Sequence, residues 1–281
     1  MLSILIVNWN TRDLLRACLA SILRYPPSGE FEIIVVENAS HDESAPMVAS
    51  EFPLVKLITN VKNLGYAAGN NQAFAAARGD WLLTLNPDTE FRDDSLDRAV
   101  ATLEQNPAFG VLGIRQIGTD GNIQSSVRGF PTPSNLLADF LGIGSAYRLA
   151  NFDYSKQGPA PQPMGTFLLF RRAALESVGD AKAPFDEGFP IFFNEVDLLF
   201  RLNRAGWPCL YTPDASILHY GGESTKQVRK SMIWESHRSL IRYLRKHHSR
   251  DFGAVALPFL SLLIVAAAFF RARGYHAGFR S

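Results

Sequence analysis

Two acidic residues of the sequence, Asp88 and Glu195, are candidates for group-transfer chemistry. Asp88 ends an Asn-Pro-Asp turn that follows an apolar run over residues 81–85, and that run predicts a buried strand. Because ligands of open α/β sheets bind at the carboxyl ends of strands, a carboxylate here suits a divalent cation that also contacts substrate phosphates. The same three residues are ordinary turn chemistry, so the motif alone leaves a surface turn open.

Glu195 lies at the start of a predicted helix, directly after Phe192, Phe193 and Asn194. Aromatic neighbours would partly desolvate its carboxylate, which raises the pKa of the group and makes it a better general base. The alternative is that Glu195 and Asp197 only complement the positive end of the helix dipole.

His219 follows an apolar segment and precedes Tyr220 and the pair Gly221 and Gly222. Next to a second carboxylate site, such a histidine could be a metal ligand. A lone histidine more often has a structural role, and both interpretations stay open at this point.

Polar residues at the ends of the first two predicted strands could bind a nucleotide. Asn8 and Asn10 follow the first strand, and Glu37 follows the second. Side chains at these strand ends can donate to or accept from a base or a ribose. Capping of the next helices by Asn10 or Ser40 is an equally good explanation, and the two roles are compatible.

The stretch from Asn63 to Asn70 places Gly65 and Gly69 at the start of an Ala-rich helix. Glycine lets a ligand approach the backbone and the positive helix end. The stretch has neither the Gly-x-Gly-x-x-Gly fingerprint nor the phosphate loop that ends in Gly-Lys. The sequence therefore disfavours a dehydrogenase or a P-loop enzyme.

An alternating α/β domain would position these residues. Short apolar runs predict strands over residues 3–7, 32–36, 55–59, 81–85 and 110–114. Helical spacing of apolar residues predicts helices over residues 14–22, 46–52, 67–78 and 95–105. Such alternation predicts right-handed crossovers and a mostly parallel sheet.

Beyond residue 117 the pattern changes. Residues 119–122 predict a hairpin turn, and the proline-rich stretch 130–163 predicts a long irregular connection that could close over the site as a lid. Strands follow at 165–170, 209–211 and 216–219, with helices from 172 and over 195–205.

The C-terminal part differs in composition from the rest. Residues 226–250 contain eight Lys or Arg and one acid, Glu235, and residues 252–270 form a run of nineteen without a charge. As a helix that run would be about 28 Å long, close to the thickness of a bilayer's hydrocarbon core. The pattern predicts a basic helix and an apolar helix that spans, re-enters or lies on a membrane, with a buried core helix as the alternative.

Composition limits the function classes. The 281 residues are 47% hydrophobic and 20% charged, which is typical of a globular protein, and a net charge of +1 gives no case for nucleic-acid binding. Cys18 and Cys209 lie far apart in apolar patterns, which indicates reduced thiols and a reducing compartment. The chain starts directly on a strand, so no signal peptide is expected.

Taken in order, these motifs resemble those of the bacterial family 2 glycosyltransferases, in particular the rhamnosyltransferase-like branch. No single motif is specific, but the ordered set is, and it covers about residues 2–225. The motifs are Asn8-Trp9-Asn10, Glu37-Asn38-Ala39-Ser40, Asn63-Leu64-Gly65 through Asn70, Asn86-Pro87-Asp88, Gly165-Thr166, Glu195-Val196-Asp197-Leu198 and His219-x-Gly221-Gly222. The resemblance implies a GT-A fold, an α/β architecture with a Rossmann-like, mostly parallel sheet flanked by helices.

The same resemblance implies an organisation in two parts. The catalytic domain would cover residues 1–225, with a nucleotide-binding half over about 1–115 and an acceptor-binding half over about 116–225. Residues 226–281 would follow as the basic helix and the apolar, membrane-associating tail.

The resemblance also implies roles for individual residues. Asp88 would hold Mg²⁺ or Mn²⁺ on the donor diphosphate, and His219 would assist the metal. Glu37 would contact the nucleobase in a pocket that Asn8 also lines, and Glu195 would be the catalytic base. The remaining residues assigned to the nucleotide-sugar donor are Asn10, Asn63, Gly65, Asn70 and Asn86.

Three positions depart from the family pattern. The chain reads Asn194-Glu195 where the family usually has two acidic residues. Glu37 stands where Asp is more frequent, and Asn86 replaces the first Asp of the fuller metal motif. These departures concern the identity of the donor more than the reaction.

The implied function is an inverting, metal-dependent transfer of a sugar from a nucleoside-diphosphate donor to a glycan or lipid-linked saccharide in the synthesis of cell-surface polysaccharide. dTDP-rhamnose is the favoured donor, and a UDP-hexose is the alternative. The basic and apolar tail predicts contact with the cytoplasmic face of the inner or plasma membrane. Two other classes stay open: a sugar-nucleotide nucleotidyltransferase and a catalytically silent module that binds nucleotide sugars.

Overall fold

The computed structural model describes residues 1–141, 147–221, 229–249 and 253–273. Its strands are β1 (Leu2–Asn8), β2 (Phe31–Glu37), β3 (Lys56–Thr59), β4 (Trp81–Leu85), β5 (Thr89–Glu90), β6 (Val111–Ile117), β7 (Val127–Arg128), β8 (Gly158–Pro159), β9 (Gln162–Pro163), β10 (Phe167–Arg171) and β11 (Cys209–His219). Its helices are α1 (Arg12–Arg24), α2 (Ser44–Glu51), α3 (Tyr66–Ala76), α4 (Ser95–Gln105), α5 (Pro133–Phe140), α6 (Arg172–Glu176), α7 (Asn194–Arg204), α8 (Arg229–His248) and α9 (Gly253–Ala272).

Nine strands of the described chain form one mixed sheet in the order β3-β2-β1-β4-β10-β6-β11-β5, and β8 also pairs with β11. Strands β1 to β4 pair in parallel, as do β6 and β11. Strand β10 lies between β4 and β6 and runs antiparallel to both. The predicted α/β fold with a mostly parallel sheet flanked by helices is confirmed, and the direction of β10 is the feature that the sequence pattern did not predict.

Helices cover both faces of the sheet because successive residues of a strand point to opposite sides. In β1, Ile4 and Ile6 belong to the core cluster that α1, α2 and α4 complete on one face. Leu5 and Val7 belong to the cluster that α3, α6 and α7 complete on the other face. Since both faces are apolar, the strand ends are where polar side chains collect.

The proline-rich stretch is more regular than predicted, because it contains α5 and the short strands β8 and β9. Helix α5 begins with a capping box, in which the Thr132 hydroxyl accepts from the backbone of Asn135 and the Asn135 side chain accepts from the backbone of Thr132. Pro133 occupies the first helical turn, where its missing N–H costs nothing. The expectation of an irregular connection over 130–163 was therefore wrong for this part.

Two local expectations also need correction. The segments predicted as separate strands at 209–211 and 216–219 form one strand, β11, whose register against β6 shifts between Thr212 and Ser216. Neither Asn10 nor Thr11 caps α1 with its side chain. Instead, Asp42 accepts from the backbone N–H of Arg12 at 2.7 Å.

The two C-terminal helices, α8 and α9, share a hydrophobic core cluster with α7. Leu240 and Tyr243 of α8 and Leu260 and Ile264 of α9 share one core cluster with Val196 of α7. The opposite side of α9 is apolar and exposed. Its exposed large residues are Phe259, Leu262, Val265, Phe269 and Phe270.

Among the residues that the structure describes, no helix is both long enough and apolar enough to cross a membrane. The predicted basic helix is present over Arg229–His248, and residues 226–228 of the predicted range lie outside the described residues. Gly222 and Phe252, which the sequence patterns included, lie outside them too.

Candidate active site

The predicted site residues come from strand ends at one edge of the sheet. Strand β1 lies between β2 and β4, so the chain order reverses there and leaves a crevice at the carboxyl ends, where α/β sheets bind ligands. Asn8 and Glu37 end β1 and β2, and His219 ends β11. Because β10 runs the other way, its first residues reach the same edge as Asp88.

The nucleotide side of the edge is an ordered hydrogen-bond network. Asn8 is fully buried; its Nδ2 donates to Glu37 Oε2 at 2.7 Å, and its Oδ1 accepts from the Thr11 hydroxyl at 2.6 Å. The backbone N–H of Ser40 donates to Glu37 Oε1 at 2.9 Å, and the Ser40 hydroxyl accepts from the backbone of Asn10. The hydrogen bond from Asn8 therefore fixes the orientation of the Glu37 carboxylate.

Asn38, which the sequence analysis did not single out, organises the next loop. Its Nδ2 donates to Asn63 Oδ1 at 2.9 Å and to the Gly65 carbonyl at 3.1 Å, while its Oδ1 accepts from the backbone of Leu64 at 3.0 Å. Gly65 has φ +88°, and a Cβ there would lie 2.8 Å from the Pro190 carbonyl oxygen. Only glycine fits this position.

Asn70 is buried in α3, and its Nδ2 donates to the carbonyl of Tyr66 at 2.9 Å. Tyr66 is the first residue of the same helix. Asn70 therefore reinforces the helix turn that begins at Gly65, one turn away from the loop that Asn38 holds.

The metal side of the edge brings Asp88 and His219 together. Both residues are almost fully buried, and His219 Nε2 lies 3.6 Å from Asp88 Oδ2. Backbone contacts make this approach possible, because β5 pairs with the end of β11 and the Tyr220 N–H donates to the Asp88 carbonyl at 3.0 Å.

The chemistry of these two side chains fits Mg²⁺ or Mn²⁺. Carboxylate oxygen and imidazole nitrogen are ligands that such ions accept, and Mg²⁺ sites typically use one or two carboxylates with the remaining positions filled by water and substrate phosphates. Within the described residues, no group of three or more His, Cys, Asp or Glu side chains could hold a metal ion. Two such side chains leave the remaining positions of an ion to water or to phosphate oxygens of a ligand.

The base side consists of Glu195 in the first turn of α7. Phe193 precedes the helix with φ +66°, and Glu195 packs over Gly165, where a Cβ would lie 3.4 Å from Glu195 Cγ. Burial raises the pKa of Glu195 to about 7, and the backbone N–H groups and the Arg128 guanidinium offset part of that rise. Such a carboxyl group can exchange a proton near neutral pH.

Asn194 explains one departure from the family pattern. Its side chain is fully buried, and neither its Oδ1 nor its Nδ2 has a hydrogen-bond partner in the described part of the chain. An ionised carboxylate at this position would be far more costly to bury than a neutral amide. The site is therefore suited to one acid, Glu195, where the family has two.

Tyr66 connects the metal side to the base side. Its hydroxyl donates to Asn86 Oδ1 at 3.3 Å and approaches the Gly165 carbonyl at 3.4 Å, and Asn86 is two residues before Asp88. The pKa of Tyr66 is raised by burial and further by the negative charges of Glu195 and Asp88. The hydroxyl of Tyr66 therefore lies between the turn that carries Asp88 and the glycine against which Glu195 packs.

Besides Asn38, the sequence analysis missed Tyr66, Arg128 near Glu195 and Gln124, which contacts His219. The position of Tyr66, directly after a glycine that begins a helix, was a signal that could have identified it. Gln124 and Arg128 lie in and after a hairpin, and their polarity alone did not distinguish them from ordinary loop residues. The catalytic and binding roles of the named residues stay predictions.

Comparisons with known proteins agree with this geometry. The model of the family described as "Glycosyl transferase family 2" matches residues 3–179. The N-acetylglucosaminyl-diphospho-decaprenol L-rhamnosyltransferase of Mycobacterium tuberculosis is 28% identical over 236 residues, which cover 77% of this chain and 75% of that protein. The rhamnosyltransferase WbbL of Escherichia coli is 27% identical over 208 residues, which cover 69% and 76%.

Solved structures show the same fold. The mannosyltransferase PcManGT of Pyrobaculum calidifontis, in complex with GDP-Man and Mn²⁺, superposes with a TM-score of 0.61 at 18% identity over 98% of this chain and 76% of that chain. GalNAc-T7 with UDP, GalNAc and Mn²⁺ gives a TM-score of 0.60 at 15% identity over 87% and 47%. The chain therefore belongs to glycosyl transferase family 2 and is a rhamnosyltransferase-like glycosyltransferase.

Proposed function

We propose that this enzyme transfers a sugar, with rhamnose favoured, from a nucleoside-diphosphate donor to a hydroxyl group of a glycan or a lipid-linked saccharide, with inversion at the anomeric carbon. The observation that carries the proposal is the position of the Tyr66 hydroxyl, which lies 3.3 Å from Asn86 Oδ1 in the turn of Asp88 and 3.4 Å from the carbonyl of Gly165, the residue against which Glu195 packs. A base and a metal-binding carboxylate at one edge are the two groups that such a displacement needs.

Glu195 is the general base of the proposed reaction. Its carboxylate accepts the proton of the acceptor hydroxyl while the acceptor oxygen forms a bond to the anomeric carbon. The bond from that carbon to the donor phosphate breaks, and the diphosphate leaves with the electron pair. A single displacement of this kind inverts the anomeric carbon, and a base with a pKa of about 7 suits it near neutral pH.

Asp88 and His219 would hold Mg²⁺ or Mn²⁺ on the donor. When bound, such an ion offsets the negative charge that grows on the leaving diphosphate. The nucleotide would lie against the Glu37 network and the loop from Asn63 to Gly65. dTDP-rhamnose is the favoured donor because relatives of this chain are rhamnosyltransferases, and a UDP-hexose is the alternative.

A lipid-linked saccharide is the favoured acceptor, with the enzyme on the cytoplasmic face of the membrane. The relative from Mycobacterium tuberculosis is described by a decaprenol-linked acceptor. Two features of the tail support membrane contact: the exposed apolar side of α9 and a cleft of about 630 Å³ on α8. Arg238, Arg242, Arg245 and Lys246 line that cleft, and such a basic surface attracts anionic lipids.

A transfer assay tests the function. The full chain is incubated with Mn²⁺, one of dTDP-rhamnose, UDP-glucose or GDP-mannose, and a diphospholipid-linked N-acetylglucosamine acceptor. The expected product is a disaccharide-lipid from dTDP-rhamnose whose new linkage has the opposite anomeric configuration to the donor, as read by NMR coupling constants. Retained configuration would overturn inversion. A parallel incubation with pyrophosphate in place of the acceptor tests the alternative, because a nucleotidyltransferase would convert the nucleotide sugar and pyrophosphate to a nucleoside triphosphate and a sugar 1-phosphate.

Vesicle sedimentation tests the membrane contact separately. Leu262→Asp places a charge on the exposed side of α9, where the leucine side chain is 68% exposed, and should reduce binding to vesicles that contain phosphatidylglycerol. Leu54→Asp is the matched control, because Leu54 is also an exposed leucine, at 85%, but belongs to the nucleotide half. Equal binding by the two variants and the parent chain would contradict the assignment of this surface.

A further inference from the structure

Gln124 contacts His219 at two points that the proposed reaction does not use. The hairpin after β6 returns the chain alongside that strand, with the Gln124 N–H donating to the Gln116 carbonyl at 2.9 Å. The side chain of Gln124 then reaches across to β11. Its Nε2 donates to the backbone carbonyl of His219 at 3.0 Å, and its Oε1 lies 2.8 Å from His219 Nδ1.

These two contacts determine where the proton of a neutral imidazole lies. A carbonyl oxygen only accepts, so the amide nitrogen of Gln124 must be the atom that faces the His219 carbonyl. The amide oxygen therefore faces the ring, and because it also only accepts, Nδ1 must carry the hydrogen. In the neutral ring the lone pair is then on Nε2, the nitrogen on the side of Asp88.

We infer that Gln124 is a positioning residue that keeps His219 in the tautomer required of a metal ligand, with Nε2 directed towards the Asp88 carboxylate. The inference rests on the metal site of the proposed function. An imidazole binds a metal through its unprotonated nitrogen, and the hydrogen bond at the other nitrogen fixes both the tautomer and the ring orientation. The distance of 3.6 Å between Nε2 and Asp88 Oδ2 is short enough for one ion to contact both atoms.

Burial of the His219 ring makes the contact with Gln124 more important for its orientation. His219 is nearly fully buried at the end of β11, so bulk water has little access to either ring nitrogen. Rotation of the ring by half a turn exchanges Nδ1 with Cδ2 and Nε2 with Cε1, so it would lose the contact with Gln124 and place a ring carbon where Nε2 faces Asp88. The side chain of Gln124 opposes that rotation, because the hydrogen bond from its Nε2 to the His219 carbonyl keeps its Oε1 next to Nδ1.

Binding of Mn²⁺ alone to the full chain tests the inference. Electron paramagnetic resonance of free Mn²⁺ gives the affinity, and the electron spin-echo modulation of bound Mn²⁺ reports a coordinated imidazole nitrogen. Gln124→Leu should weaken Mn²⁺ binding about tenfold or more and reduce the nitrogen signal, as expected for loss of a hydrogen bond behind a metal-bound histidine. Gln124→Glu keeps an acceptor for Nδ1–H but loses the donor to the His219 carbonyl, so it should retain at least part of the nitrogen signal.

Ile123→Ala is the matched control. Ile123 belongs to the same hairpin, bridges to Ile117 and is half exposed, so its loss perturbs the hairpin without removing a contact to the ring. It should leave Mn²⁺ affinity and the nitrogen signal as in the parent chain. Parent-like affinity and signal in Gln124→Leu, or loss of the signal in Gln124→Glu as well, would overturn the inference.

Asp88→Asn and His219→Ala separate this inference from the proposed function. Both should weaken Mn²⁺ binding, and His219→Ala should remove the nitrogen signal. If both variants bind Mn²⁺ like the parent chain, the metal site itself is wrong. If they weaken binding and Gln124→Leu does not, the metal site stands and only the role of Gln124 fails.

Discussion

The metal side and the base side of the site are stabilised by different kinds of contact. On the metal side, backbone pairing brings Asp88 and His219 together, because β5 pairs with β11 directly beside them. On the base side, the helix that carries Glu195 is held by side chains from α8 and α9, which follow the catalytic motifs in the chain. Strand pairing at the sheet edge positions Asp88 and His219, and helix packing positions Glu195.

Asp197 is the centre of the contacts on the base side. It is fully buried, and its carboxylate accepts from Arg201 Nε at 2.9 Å, from Lys246 Nζ at 2.7 Å and from His247 Nε2 at 2.7 Å. Burial alone would raise the pKa of Asp197, but the hydrogen bonds with His247 and Lys246 outweigh it and lower the pKa to about 2.

Asp197 and Glu195 lie on nearly opposite sides of α7. Helix α8 therefore contacts α7 through Asp197. Glu195, on the other side of α7, packs against Gly165 near the edge of the sheet. The basic C-terminal segment differs in composition from the rest of the chain, yet it supports the helix that carries Glu195.

The largest expected effect separates the two sides by chemistry. Glu195→Gln removes the base but keeps the shape of the side chain, so kcat should fall about a thousandfold while Mn²⁺ binding stays as in the parent chain. Transfer kinetics and Mn²⁺ titration measure the two quantities on the same preparation. Turnover close to that of the parent chain would remove Glu195 from its role and leave the base side without a catalytic group.

A smaller effect tests whether the tail supports the base. Asp197→Asn should lower the free energy of unfolding by about 2 kcal/mol, which corresponds to the shift of the pKa from 3.8 to about 2, and should lower kcat with unchanged Mn²⁺ affinity. Because the folded-state pKa lies below the unfolded value, this stabilisation is present above about pH 4 and is lost as the pH falls through about 2. Urea denaturation at several pH values measures it.

Asp153→Asn is the control for that experiment. Asp153 makes an exposed ion pair with Lys156 and should contribute little to stability, so the same acid-to-amide change there should leave the free energy of unfolding close to that of the parent chain. If Asp197→Asn changes Mn²⁺ affinity as much as kcat, the two sides of the site are not held independently and the comparison breaks down.

The smallest effect concerns the pH dependence of the base. Protonated Glu195 cannot accept a proton, so kcat/KM should fall with unit slope below a pH of about 7. The Arg128 guanidinium lowers the pKa of Glu195, so Arg128→Met should move this limb to higher pH without changing its slope. Lys156→Met, a change of an exposed cation elsewhere, should leave the profile in place, and a shift in the control or none in Arg128→Met would contradict the assignment.

Much of the metal side could be predicted from the sequence. The apolar runs of β1, β2 and β4 identified the strands, and the polar residues directly after them indicated the edge at which we propose that ligands bind. Asp88 and His219 were found because each ends such a run. Their separation of 3.6 Å could not be predicted, since it depends on the pairing of β5 with β11.

The base side was predicted less completely. Glu195 was identified by its aromatic neighbours, but Asp197 was interpreted as a partner of the helix dipole, and its contacts with Lys246 and His247 were not foreseen. The tail was interpreted from composition as a membrane segment of separate character. Composition left membrane contact and a buried core helix open, and the structure places one side of α9 in a core cluster with α8 and α7 while the other side is exposed.

The sequence by itself determined most of the strands and helices of the first 117 residues, the polar ends of those strands and, through the ordered motifs, the family. These features are local, because hydrophobic periodicity and turn residues act within a few positions. Tertiary structure alone decided that Gln124 meets His219, 95 positions away, and that His247 meets Asp197, 50 positions away. Contacts over such distances depend on how β6, β11 and the tail helices pack, and that packing follows from the shape of the whole core.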